Sequence, residues 1–198
     1  MSGGKMNDYI YTTQRYEAEV PVDAYLKECV DVPTFLEYCK QCPNYGKVWS
    51  CPPYDFSPEE YWKKYRMLHL ISVKINFPEE MTEKKYTQDE ISKLIEEVLW
   101  GERRKLMNEL LDMEKQFPGS VVLSAGTCMY CREKGCARAE GKPCRAPEKI
   151  RYSIESLGGN VGLTVSKYLN QEIQWISDGK LPEHLMLLCG LLLRHSED

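Results

Sequence analysis

The strongest hydrophobic pattern in the chain lies between residues 87 and 117. Ile91, Leu94, Ile95, Val98 and Leu99 recur at helical spacing, and Leu106, Leu110, Met113 and Phe117 continue the stripe. Thr87 and Glu90 stand in front of it as a Thr-x-x-Glu capping box, and Pro118-Gly119 closes it. The spacing predicts one helix of about 30 residues, roughly 45 Å long at ~1.5 Å per residue. Gly101 is the natural place for a kink.

Four other segments read as strands. Residues 69–77 (HLISVKINF) are rich in β-branched side chains and stop at Pro78. Residues 120–124 (SVVLS) are short and apolar, and 9–22 set Ile10, Tyr11, Tyr16, Val20 and Val22 among polar positions. Residues 186–193 are continuously apolar, and the turn residues from Gly179 to Pro182 favour a strand there. Shorter helices are expected over 22–29, over 33–38 with Cys39 at its end, and over 58–66 behind the Ser57 cap. Two more are expected over 147–157 and 161–169, divided by Gly158-Gly159. Residues 40–58 and 128–144 are rich in Pro, Gly and charge and read as loops.

This order of elements predicts an α+β fold. One mostly antiparallel or mixed sheet of roughly three to five strands should carry helices against it, with the cysteine-rich loops at one end. No repeat or linker divides the chain, so residues 1–198 are read as a single domain. If 69–77 and 120–124 are neighbours joined by the long helix, they run parallel by a crossover, and both cysteine loops meet beyond their ends.

Composition turns attention to those loops. The chain has 198 residues, a net charge of −4 and nine cysteines. The acidic balance argues against a generally basic nucleic-acid binder. The longest apolar run, 185–193, is far short of the ~20 residues of a membrane helix. Residues 1–8 carry no apolar core of a secretory signal, so a cytoplasmic protein without a membrane partner is expected. Nine thiols cannot all pair, and clustered thiols in such a chain point to metal or redox chemistry.

The first group is Cys39-x-x-Cys42 with Cys51-Pro52-Pro53; the second is Cys128-x-x-Cys131, Cys136 and Cys144. A Cys-x-x-Cys turn sets two sulfurs on one side, where they can share a metal or a cluster. The four thiols of the second group can complete a zinc tetrahedron or the corners of a [4Fe–4S] cluster, whereas the first group offers three. One close pair followed by single cysteines at widening intervals favours the iron–sulfur cluster over zinc, which stays the alternative. Between residues 128 and 151, seven basic residues face three acidic ones. That excess suits a centre made anionic by its thiolates. Cys29 and Cys189 sit alone in apolar contexts and are expected in the core.

Other chemistry is thinner. His69, His184 and His195 have no ligand spacing. Tyr45 and Trp49 lie between the cysteines of the first group, where they either shield a centre or pack on the scaffold. Gly158-Gly159-x-x-Gly162 lacks the strand and spacing of a dinucleotide loop.

The run Cys39-x-x-Cys42-x-x-Tyr45-Gly46-Lys47-x-Trp49-x-Cys51-Pro52-Pro53, followed by Cys128-x-x-Cys131, Cys136 and Cys144-Arg-x-Pro147, resembles the predicted metal-binding proteins of domain of unknown function 2284. The resemblance covers nearly the whole chain. It implies a small prokaryotic protein with a cysteine-bound metal or cluster, and it implies no particular reaction. The expected roles are therefore an iron–sulfur redox or electron-transfer accessory with a partner protein, a zinc-bound structural or interaction module, or a metal-delivery protein.

Overall fold

The computed structural model describes residues 11–131 and 134–194. Its sheet has four strands: β1 (Thr12–Pro21), β2 (Met67–Asn76), β3 (Val121–Leu123) and β4 (His184–Leu193). Their order is β1-β2-β4-β3, and every neighbouring pair is antiparallel. The α+β expectation holds. The expected pairing of 69–77 with 120–124 does not: β4 lies between them. β4 is buried almost throughout, and such a strand needs cover on both faces, which only an interior position supplies.

Side chains alternate across the sheet, so each face has its own core. Helix α5 (Gln88–Gln116) covers one face, laying Ile91, Leu94, Val98, Leu106 and Leu110 on Ile71, Ile75, Leu187, Cys189 and Leu191. Both halves of its capping box form, and the helix runs unbroken through Gly101. The opposite face carries Val20, Leu68, Leu70, Leu188 and Leu192. Helices α1 (Val22–Cys29), α3 (Pro58–Trp62) and α6 (Val161–Leu169) pack there. Two bonds fix polar atoms in that core: the Tyr25 hydroxyl pairs with Thr164 Oγ1 at 2.7 Å, and the Trp62 indole donates to the Leu157 carbonyl at 3.0 Å.

Helix α2 (Val32–Lys40) carries Cys39 in its last turn, and a short α4 (Glu79–Thr82) follows β2. No helix of the described residues is long and apolar enough to cross a membrane. The expected helix over 147–157 is absent; only 3-10 turns form at Pro147–Lys149 and Glu155–Leu157. Ser124 donates to the Tyr152 carbonyl at 2.7 Å and bridges to Ser153. The Ser153 and Ser156 hydroxyls bond the backbone between them. Local serine bonds and a sheet contact thus outcompete the helical ladder.

Gly158-Gly159 is a packing joint. Gly158 has φ +87°, and a Cβ on it would stand 2.7 Å from Val32 Cγ2 and 2.8 Å from Val32 Cα. Asp31 donates to its carbonyl at 2.9 Å, and Val30 bridges to Gly159. The pair therefore lets α2 approach closely. Gly158→Ala should lose about 2 kcal/mol or more, from overpacking and from a left-handed backbone together. Denaturant unfolding measures this, and wild-type stability in the variant would contradict it.

Candidate metal centre

The first cysteine group begins where α2 ends. Gln41 and Cys42 donate back to Tyr38 and Cys39 in tight turns, and Tyr45 donates to the Cys42 carbonyl at 3.1 Å. Cys42 is exposed, whereas Cys39 and Cys51 are half-buried. Burial pushes the Cys39 thiol up, with Cys42 and then Glu155 adding to it. Burial likewise takes Cys51 up to about 11, again with Cys42 next. Cys42 therefore lies within Coulombic reach of both other thiols of its group.

The second group begins where β3 ends. Cys128, Cys131, Cys136 and Cys144 are all half-buried, and a 3-10 turn (Ala137–Glu140) separates the last two. Arg145 donates to the Gly135 carbonyl at 2.8 Å and closes this loop on itself.

The two loops interlock. The Arg138 guanidinium donates to the carbonyls of Val48 (3.0 Å), Cys51 (2.6 Å) and Pro53 (2.5 Å). Its flat face lies over the Trp49 ring at 4.9 Å, a cation–π distance. The Trp49 backbone N–H donates to Cys136 Sγ at 3.4 Å, and its indole N–H to the Lys142 carbonyl at 3.1 Å. Cys128 N–H donates to Ser50 Oγ at 2.9 Å. The expected meeting of the groups at one end of the sheet is thus seen, by way of contacts that spacing did not reveal. Trp49 does pack, but on the other loop rather than on the scaffold. Arg138 and Ser50 gave no sequence signal beyond lying near cysteines.

Among the described residues, no three His, Cys, Asp or Glu side chains already converge as an ion site. The donors are nonetheless suited to soft metals: seven half-buried or exposed thiols, one of which already accepts an N–H. The histidines are engaged elsewhere or not described. His69 pairs with Glu17 at 2.8 Å, the His184 ring with the Glu172 carbonyl at 2.9 Å, and His195 lies outside the described residues.

A cavity of about 770 Å³ opens beside the second group, and Cys128, Cys131, Cys136 and Cys144 all line it. A smaller one of about 230 Å³ is lined by Cys39, Tyr45, Tyr54 and Phe56. Glu155 lines both. Burial raises its carboxyl above the ordinary range, against the pull of Arg103. Arg103 donates to the Thr127 carbonyl, just before Cys128.

A family model of predicted metal-binding proteins, domain of unknown function 2284, matches residues 26–193. The chain belongs to that family. No curated protein and no solved structure matches it. The matched span of this DUF2284 chain contains both cysteine groups, the clamp residue Arg138 and three of the four strands.

Cys29 and Cys189 stand apart from both loops. Each is buried in a hydrophobic core, and burial raises both thiols, Cys189 to about 12. They should stay protonated and unlabelled when native apo-protein meets iodoacetamide at pH 8, while Cys42 labels readily. Mass mapping reads this; rapid labelling of Cys189 would contradict it. Replacing Arg138 by Met should leave the Cys51 and Pro53 carbonyls without their donor, while the Val48 carbonyl keeps the Cys51 N–H, and should speed proteolysis within residues 42–54 several-fold, on the order of one to two kcal/mol of local opening. Cleavage at the wild-type rate would show that the interlock does not hold the loop.

Proposed function

We propose that Cys128, Cys131, Cys136 and Cys144 hold a [4Fe–4S] cluster and that Cys39, Cys42 and Cys51 ligate a second metal or cluster. The protein then serves as a redox or electron-transfer accessory to a partner protein, in the cytoplasm. The observation that carries this reading is the interlock, which joins both thiol groups through Trp49, Ser50 and Arg138.

Each residue has a task on this reading. The bound group supplies one-electron chemistry. The Trp49 N–H at Cys136 Sγ stabilises negative charge on that sulfur, which is how the protein tunes such a centre. Arg138 and Arg145 add positive charge to a loop whose thiols give up protons on ligation. Burial of Cys39 and Cys51 keeps those thiols protonated until a metal displaces the protons, so loading the first group releases protons. Closing the loops around a metal also couples metal binding to folding.

Zinc in one or both loops is the competing reading. It is favoured by the structural part the loops play in holding residues 48–53 to residues 136–142. Anaerobic purification, with visible absorption and with iron, sulfide and zinc analysis, separates the two. Iron and acid-labile sulfide in equal amounts support the cluster, whereas stoichiometric zinc without iron replaces it. Single Cys→Ser changes at Cys128, Cys131, Cys136 or Cys144 should each remove about half or more of the bound metal and lower the melting temperature. Full metal content in all four variants would sink the assignment.

A further inference from the structure

β3 stops after three residues. It pairs Val121, Val122 and Leu123 with Leu192, Leu191 and Gly190, while β4 begins at His184. Among the described residues, the far edge of β4 from residue 184 to 189 therefore has no strand beside it. The antiparallel ladder fixes which backbone groups face that edge. Phe77 donates to the Glu183 carbonyl at 2.9 Å, so odd-numbered residues along β4 turn their N–H and C=O toward β2. Even-numbered residues turn the other way. Val122 confirms the alternation from β3, since its N–H points outward to Glu114 Oε2 at 2.7 Å. The His184 N–H, on the open side, goes to the Gln174 side chain at 3.2 Å. The N–H and C=O of Met186 and Leu188 face the same open side. Among the described residues, no backbone partner reaches them there.

Those groups open into the cavity of about 770 Å³. Leu185, Met186, Leu187 and Leu188 all line it. Consecutive strand residues belong to opposite faces of a sheet, so only the edge of β4 can present all four to one space. The cavity floor is thus a strand lane without a strand. Ile95 and Leu99 of α5 and, from the segment before β4, Ile173 and Ile176 also line it. Cys128 lies where β3 leaves the lane. Leu188 is nearly buried, and main-chain groups at such a position call for partners.

We propose that this lane is a strand-addition site for an extended peptide of about four to five residues with apolar side chains. Met186 and Leu188 lie ~7 Å apart at strand rise, the repeat at which alternate residues of a second strand offer matching N–H and C=O groups. Charges of both signs, Glu96 and Arg103, line the cavity, which suits a neutral chain better than an ion. The lane leads to the four-cysteine loop, so a bound peptide has one end beside Cys128. The site consists of strand edge and apolar wall, and it stands whichever metal the loops hold.

The test uses the protein as purified, with whatever metal it carries, and a randomised hexapeptide pool acetylated and amidated at its ends. The best binder is then remade with N-methyl groups on alternate residues, in each of the two frames. One frame removes the donors that face β4 and weakens binding about tenfold or more; the other changes it by less than about twofold. Met186 and Leu188 amides gain protection from hydrogen exchange on binding, while Leu187 does not change. Met186→Pro removes an N–H that no strand uses, which an edge position tolerates. It keeps the metal content and loses about fivefold or more in peptide affinity. Should that variant fail to fold, the two methylated frames still decide. A pool with no saturable binder overturns the proposal. So does a binder indifferent to methylation in both frames, without protection at Met186 and Leu188; the cavity would then hold ligands by its apolar walls alone.

Discussion

Three backbone carbonyls in the first cysteine loop, those of Val48, Cys51 and Pro53, turn toward a single guanidinium. The Val48 carbonyl also takes the Cys51 N–H at 3.0 Å, but a loop broken by Pro43, Pro52 and Pro53 has no ladder of its own for the other two. Arg138 fits because its planar fork reaches several oxygens at once, which a lysine ammonium does less well. The same side chain lies over Trp49, and Trp49 in turn donates to Cys136 and Lys142. Each loop thereby sets the shape of the other. An aromatic knot secures the arrangement to the scaffold: Tyr54, Phe56 and Tyr61 all pack edge-on to Tyr152, with centroids 5.3 to 5.4 Å away.

What could be read in the sequence was what rests on local physics. The cap at Thr87, the stripe along α5 and the β-branched run of β2 are each fixed by residues close in the chain, and each forms where expected. The cysteine spacing pointed to metal binding without reference to the fold, and the family the chain belongs to is a predicted metal-binding one. The failures have a common cause. Strand order depends on long-range pairing, and the unbroken apolar run of β4 marked it as interior without saying between which strands. The segment 147–157 has helical composition, yet it lies beside Ser124, whose backbone claims the Tyr152 carbonyl. Arg138 is the extreme case. Its partners lie 85 to 90 residues away, and no period or spacing connects a loop arginine to three distant carbonyls.

The edge strand β1 shows how the sheet divides its duties. On the side of α5 it is polar, with Arg15 reaching Glu109 of the helix and Glu17 pairing with His69. On the other side Tyr16, Ala18 and Val20 join the core. The apolar demand of α5 is met instead by β2 and β4, so the weight of packing shifts toward the half of the sheet next to the cysteine loops.

The position of β4 also imposes a timetable. Among the strands of the described residues it comes last in the chain, and it joins β3 to the rest of the sheet. Until residues 184–193 leave the ribosome, β3 has nothing to pair with, and the loop that starts at Cys128 hangs from an unanchored segment. At about 5–20 residues per second, the roughly 40 residues between Cys144 and Leu185 take several seconds to synthesise. Throughout that interval the loop thiols lack the strand that anchors β3 and positions them. A cell that makes this protein must either keep those thiols reduced during synthesis or deliver the metal after the chain has closed.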